Sequence, residues 1–237
     1  MKHIGIVAPL IPEARCFTNS PVRKQAVSIS DRLSLIVSGE GQVRASEATN
    51  TLLELGVDGL IVVGMAGALD PALSPGDLLI PEVIISESNQ KYYCDKVWSS
   101  HIHEQIHNDS HNISIHPLYT SANVICKSED KLKLHQQIQA CAVDMESAAV
   151  MALAYQHKIP CMVIRTIIDP VNYAFPDYIF KLTDEFGEIP LTRLIPTVLL
   201  HPLELKKLYQ LVIYYHQATL TLKKIANLMG KLTTTGH

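Results

Sequence analysis

The sequence predicts an α/β fold, a three-layer sandwich with a central mixed β-sheet flanked by helices and a C-terminal helix. Three observations predict it. Asp58-Gly59-Leu60-Ile61-Val62-Val63-Gly64 shows no polar alternation, and a strand apolar at every position must be covered on both faces. Strand-like runs alternate with helical patterns along the chain, as layered α/β domains require. The 237 residues suffice to bury roughly 70–75% of the unfolded surface without staples. No internal repeat or linker interrupts them, so residues 1–237 read as one domain with a helical extension from about 200.

The elements follow in order. His3–Ala8 is a short apolar run ended by Pro9 and Pro12, as expected of a buried strand leading into a functional loop. Arg32–Val37 is a second run, followed by Ser38-Gly39-Glu40-Gly41. Ala45, Ala48, Leu52 and Leu55 then keep helical spacing, stopped by Gly56. After the strand at Gly59–Val63, Leu78–Ser86 and Ser114–Ile125 read as further strands. The His-rich stretch between them, Glu87 to Asn112, reads as a polar surface loop. Glu129–Gln139 reads as a short helix, and Ala142–Val150 runs into a helix lasting to about His157. Pro160–Ile168 is a buried strand that ends abruptly at Asp169-Pro170. Leu205, Leu208, Val212, Tyr215, Leu222, Ala226 and Met229 predict one continuous helical face near the C-terminus.

Composition narrows the function classes. With 47% hydrophobic residues the chain is not disordered, and 11 Gly and 5 Cys exclude collagen-like and disulfide-scaffold classes. The net charge of −3 carries no nucleic-acid footprint. From His201 onward the charge is +4, against −7 before it. A basic tail on an acidic body suits contact with anionic lipid or another subunit, or simply a solvated Lys-rich helix face. Cys16, Cys94, Cys126, Cys141 and Cys161 show no C-x-x-C pair and read as free, mostly buried thiols of a reducing compartment. No signal peptide or membrane span is legible, so a cytoplasmic location is expected. His101, His103, His107, His111 and His116 fit no defined metal spacing, and no metal is expected.

Ligands of sandwiched sheets sit beyond the carboxyl ends of the strands. Four loops there carry unusual residues: Pro12-Glu13-Ala14-Arg15, Gly64-Met65-Ala66-Gly67-Ala68, Asp144-Met145-Glu146-Ser147 and Asp169-Pro170. Glu13, Glu146 and Asp169 each adjoin apolar sequence that can desolvate them, and a desolvated carboxylate works as acid or base near neutrality. Each also has a plainer reading. Glu13 could be a solvated loop charge, Glu146 a first-turn acid favoured by the helix dipole, and Asp169 a turn initiator before proline.

Together these segments resemble the nucleoside phosphorylase/nucleosidase superfamily, which includes methylthioadenosine/S-adenosylhomocysteine nucleosidase. The carriers are Ile4-Gly5-Ile6 with Glu13, Gly64–Leu69 with Pro75-Gly76-Asp77-Leu78, Val143–Ala149, and Val163-Ile164-Arg165 with Asp169. Pro12–Arg15, Ala66–Asp77 and the chain from Asp169-Pro170 onward, with Glu185–Ile189 and His201–Leu205, look most like the hopanoid-associated branch, which removes adenine from adenosylhopane.

The resemblance implies a set of roles. Asp169 matches the acid that protonates N7 of the leaving purine. An Asp also accepts from a 6-amino group, whereas an Asn would suit a 6-oxo base. Glu146 matches the ligand of the ribose hydroxyls, Met145 the apolar floor beneath the sugar, and Ala66-Gly67 the strip alongside the base. Val124 and Ile125 match the wall of the base pocket, and Glu13 the acid that orients water in hydrolytic members. No cofactor is implied, although inorganic phosphate is a candidate co-substrate. Arg15, Gly41 and Arg44 could supply phosphate donors, but Met65 stands where the family has a Ser hydroxyl, and hydrolysis is favoured.

The expected function is therefore cleavage of adenosylhopane with adenine release. The alternatives are methylthioadenosine/S-adenosylhomocysteine hydrolysis, purine nucleoside phosphorolysis, or a non-catalytic nucleoside-binding protein. The expected partners are the small-molecule nucleoside, lipid-linked on this reading, and further copies of the chain in a homo-oligomer. The helix from Leu203 to Leu232, with Tyr209, Tyr214 and Tyr215, is a candidate for peripheral contact with the inner membrane surface.

Overall fold

The long apolar segment at residues 59–68 forms the strand around which the fold is built. The computed structural model describes residues 3–21, 23–106, 113–174, 182–190, 192, 196 and 205–234. Its first half runs β1 (Ile4–Ala8), α1 (Ile11–Ala14), β2 (Val27–Ser30), β3 (Leu33–Val37), α2 (Gln42–Glu54), β4 (Gly59–Ala68), β5 (Leu78–Leu79), β6 (Val83–Ile85) and β7 (Lys91–Tyr93). The second half runs α3 (Lys96–Ile106), β8 (Ile113–Ser114), β9 (Leu118–Thr120), α4 (Ser128–Ile138), β10 (Ala142–Asp144), α5 (Ser147–His157), β11 (Cys161–Asp169) and α6 (Leu205–Thr234).

The strands make one mixed sheet in the order β2-β3-β1-β4-β10-β9-β6-β7, with β11 joining β4 to β5 and β8. β4 is parallel to β1 and β11 and antiparallel to β10. Alternate residues of its apolar run go to opposite cores, as a pleat of period two dictates. Leu60 and Val62 pack with Val7, Ala48 and Leu52 of α2 and Met151 and Ala154 of α5. Ile61 and Val63 pack with Ile6, with Ile102 and Ile106 of α3, and with Leu222, Ile225 and Met229 of α6. The predicted mixed sheet between helical layers is what the chain forms.

Three expectations need correction. Part of the His-rich stretch is not loop: Lys91–Tyr93 pairs with β6, and α3 buries Ile102 and Ile106 at a spacing of four, an amphipathic signal masked by the intervening histidines. His107 and His111 lie outside the described residues. Ser114–Ile125 is not one strand: Pro117 separates β8 from β9, and pairing stops at Thr120. The C-terminal helix does not bury one face throughout. Ala218, Leu222, Ile225 and Met229 are buried, whereas Leu205 and Val212 are exposed, so only its later half packs on the sheet. His201–Glu204 also lie outside the described residues. Cys94, Cys141 and Cys161 are buried and all five cysteines are unbridged.

Candidate active site

The carboxyl end of β4 is where the sheet divides. Gly67 pairs with Asp169 of β11 on one side and with Val143 of β10 on the other. A register shift between Ile167 and Asp169 leaves Ile168 unpaired as a bulge beside the cleft, with Asp169 back in the ladder. The cleft is a cavity of about 480 Å³, an ordinary ligand-pocket size, lined by Glu13, Met65, Ala66, Gly67, Val124, Ile125, Met145, Glu146 and Asp169. Eight of these are the candidate site residues read from the sequence, and Met65 is the residue read there as standing where the family has a serine; Leu10, Asp144, Ile189 and Tyr215 are among the lining residues outside that set.

Glu13 sits on the single-turn helix α1 and is 3% exposed. Its Oε1 accepts the Met65 N–H at 2.7 Å and its Oε2 the Leu10 N–H at 2.9 Å. Burial pushes its pKa up to about 7, against the opposing pull of the Arg165 guanidinium and of those two N–H groups. The approach depends on Gly64, where an added Cβ would lie 2.3 Å from Arg165 Nη1 and 2.8 Å from Glu13 Oε1.

Glu146 stands at the N-cap of α5 rather than in its first turn. Its Oε1 accepts the Gly41 N–H at 2.9 Å, and its Oε2 lies 3.6 Å from Arg165 Nη2. Gly41 presents that N–H from a φ of +95°, a conformation open to glycine at little cost. Burial raises the Glu146 pKa while Arg165 opposes. Asp169, 5% exposed, ends β11 with Oδ1 toward Gly67, 3.2 Å from where a Cβ would stand. Its Oδ2 accepts a hydrogen bond from Lys131 Nζ of α4. Burial raises its pKa and the Lys131 ammonium opposes that rise.

Three buried polar residues were not singled out from sequence. Arg165 is fully buried, and its Nη2 donates to Asp144 Oδ2 at 2.5 Å and to Ser147 Oγ at 3.1 Å. Its Nε and Nη1 have no hydrogen-bond partner among the described residues, and Nη1 lies against Gly64. Asp144 is tied further to Thr120 Oγ1 at 2.7 Å and to the Ser147 hydroxyl. Lys131 is 1% exposed. Arg165 and Asp144 stand inside quoted motifs, and a charge at the middle of a buried strand was the available signal. Lys131 lies on a helix that otherwise reads as solvated, so nothing local announced it.

The cations offered for a phosphate are otherwise engaged. Arg15 pairs with Glu188 at 3.0 Å and Arg44 with Glu185 at 2.5 Å, both at the surface, and the Gly41 N–H is taken by Glu146. Among the described residues no cluster of three metal-ligating side chains occurs, and no helix is long and apolar enough to cross a membrane.

Comparison with known proteins accords with this architecture. The family description "Phosphorylase superfamily" matches residues 26–185. The 5′-methylthioadenosine/S-adenosylhomocysteine nucleosidase of Staphylococcus epidermidis is 30% identical over 156 residues, 58% of this chain and 68% of that protein. Among solved structures, Helicobacter pylori futalosine hydrolase superposes with a TM-score of 0.71 at 17% identity, covering 97% of each chain. The H. pylori 5′-methylthioadenosine/S-adenosylhomocysteine nucleosidase, bound to butyl-thio-DADMe-Immucillin-A, gives a TM-score of 0.68 at 17% identity, covering 96% of this chain and 98% of that one. At such identities the structures speak for the fold, and the family assignment rests on the sequence match. The chain belongs to the phosphorylase superfamily and is similar to its methylthioadenosine/S-adenosylhomocysteine nucleosidases.

Proposed function

We propose that the chain hydrolyses the N-glycosidic bond of an adenosine-type nucleoside and releases adenine. One observation carries the reading: Glu13, Glu146 and Asp169, far apart in sequence, line a single cavity along the Met65–Gly67 strip. Met65 and Gly67 are two residues apart on β4, about 7 Å along the strand. The Glu13 and Asp169 carboxyls near them can therefore address opposite ends of one riboside. The cavity is assembled from elements between β1 and α6, which supports treating the chain as one functional domain.

Bond cleavage leaves positive charge on the ribose and the bond's electron pair on the purine. Asp169 donates its proton to N7 of the departing base, and burial favours its holding that proton nearer neutral pH. Glu13 takes a proton from the attacking water, whose oxygen bonds to C1′. Arg165, buried behind Gly64 and outside the cavity lining, opposes the rise in the Glu13 pKa that burial imposes. Glu146 accepts from the ribose hydroxyls, Met145 packs under the sugar, and Ala66-Gly67, Val124 and Ile125 flank the base. Phosphate in place of water would meet two carboxylates, with Arg15 and Arg44 already paired, which supports hydrolysis.

Beyond the sugar the cavity runs to Leu10, Ile189, Leu211, Val212 and Tyr215. This apolar side suits a large hydrocarbon 5′ substituent, and adenosylhopane is the proposed substrate. Methylthioadenosine and S-adenosylhomocysteine, the substrates in the names of the relatives, are the second reading. An approach of α6 to an anionic membrane, with Lys223 and Lys224 exposed, and homo-oligomer formation complete the proposal.

Adenine release from adenosylhopane in detergent, methylthioadenosine, S-adenosylhomocysteine and inosine, each with and without phosphate, tests the proposal. Phosphate-independent release, fastest with adenosylhopane and absent with inosine, is the expected result. Release only with phosphate would make the chain a phosphorylase, and no release from any substrate would leave a nucleoside binder. Flotation with anionic liposomes at low salt and light scattering test the membrane and oligomer statements.

A further inference from the structure

We propose that Lys131 is a positioning residue for the Asp169 carboxyl, holding Oδ2 so that Oδ1 is the oxygen turned toward Gly67 and the base; this rests on the nucleosidase reading above.

Lys131 is the one fully buried side chain recorded on α4, a helix whose other charged residues Glu129, Asp130 and Lys133 are exposed. An ammonium has three donors and no acceptor, and here three oxygens meet it. They are Asp169 Oδ2, the Pro170 carbonyl at 3.4 Å and the Tyr173 carbonyl at 3.3 Å. The head group is thus held from two sides, by the carboxyl at the end of β11 and by the turn after it. That turn is tied in its own right, since the Tyr173 hydroxyl donates to the Lys207 carbonyl of α6 at 2.9 Å and its ring packs edge-on against Tyr214.

A buried ion pair is a poor stabiliser, because desolvating two charges costs about as much as their attraction returns. An apolar residue on α4 would serve packing better. What the ammonium adds is orientation and charge. With Oδ2 occupied, the carboxyl keeps Oδ1 as the nearer oxygen to Gly67, at 3.2 Å against 3.7 Å for Oδ2 from where a Cβ would stand. The positive charge also counters the rise in proton affinity that burial imposes on Asp169. Of the cavity's other carboxylates, Glu13, Asp144 and Glu146 face Arg165 instead, and Glu40 is not among the groups that shift Asp169. Lys131 is therefore the cation facing the acid, on an element that contributes nothing else charged to it.

The test measures pH profiles of kcat and kcat/KM for adenine release from methylthioadenosine, or from whichever nucleoside the wild-type protein cleaves, in K131M, K131Q and K131R. As an acid, Asp169 works while protonated, so activity falls as pH rises through its titration. Removing the opposing cation strengthens its hold on the proton and moves that falling limb upward. The expected shift is about one pH unit or more in K131M and K131Q, with kcat reduced about 10–100-fold and KM changed far less. K131R, which keeps the charge, retains the wild-type limb. An unmoved limb in either neutral variant that folds, judged by circular dichroism, overturns the proposal, as does an equal shift in K131R. A wild-type protein that releases no base sinks the nucleosidase reading instead, so the two failures are told apart.

Discussion

The two ends of the cavity solve the same problem differently. At one end Glu13 and Glu146 share a single cation, Arg165, which is already committed to Asp144 at 2.5 Å. At the other, Asp169 has a cation of its own in Lys131. Two carboxylates against one shared guanidinium leave burial the larger effect, so Glu13 rises to about 7 and can take a proton near neutral pH. At Asp169 one ammonium opposes burial, and burial still leaves the carboxyl above its ordinary value. The difference teaches that both carboxyls are raised by burial while the opposing cation is shared at one end and dedicated at the other.

The comparison breaks most visibly at the acid. Asp169→Asn removes the transferable proton while keeping an acceptor for Lys131, so adenine release should fall about 10³-fold or more with the circular dichroism spectrum retained. The buried lysine then loses its counter-charge, and a lower melting temperature should accompany the loss. Near-normal turnover in this variant would remove Asp169 from the role of acid. At the opposite end Glu13→Gln should cost about 10²-fold.

The pH dependence at Glu13 sharpens the contrast. Its carboxyl must be ionised to take a proton from water, so kcat/KM should climb as pH rises through about 7. The same group acts on stability in the other direction. Its proton is held more tightly in the folded chain, at about 7, than at the ordinary value of 4.5. That contribution to stability is complete below pH 4.5 and is lost as pH rises through 7. Glu13→Gln should abolish this drift and raise the melting temperature at pH 8 by about 5 °C, even as activity falls. A variant that melts in parallel with wild type from pH 5 to 8 would show that Glu13 is not perturbed.

How far these ends were legible in the sequence follows the same division. Glu13, Glu146 and Asp169 stand where strands give way to loops, and strand-ending loops in a sandwiched sheet converge, so their meeting could be read in advance. Arg165 could have been found as a charge inside an apolar strand. Lys131 could not, because a lysine among Glu129, Asp130 and Lys133 looks like any residue of a solvated helix until tertiary packing covers it. The fold divides likewise. β4 and β11 declare themselves through continuous apolar runs, whereas α3 hides its Ile102–Ile106 stripe among histidines, and α6 spends its first half lining the cavity through Leu211, Val212 and Tyr215.

The smallest expected effect tests whether the Glu13 end is closed to phosphate. Arg15 and Arg44 lie in sequence where a phosphorylase could use them, but each is partly solvent-exposed and paired with an acid of the 184–188 segment. That segment is also bound through its backbone, the Ile11 N–H meeting the Phe186 carbonyl at 3.0 Å and the Glu40 N–H the Glu185 carbonyl at 2.8 Å. Exposed pairs contribute about 0–1 kcal/mol each, and here the backbone bonds persist without them. Arg15→Ala and Arg44→Ala should therefore change adenine release less than about threefold, with and without phosphate, and lower the melting temperature by only a degree or two. If either substitution abolished a phosphate-stimulated rate, the guanidinium would have to leave its glutamate when the substrate binds, and the Glu13 end would be an anion site rather than a water site.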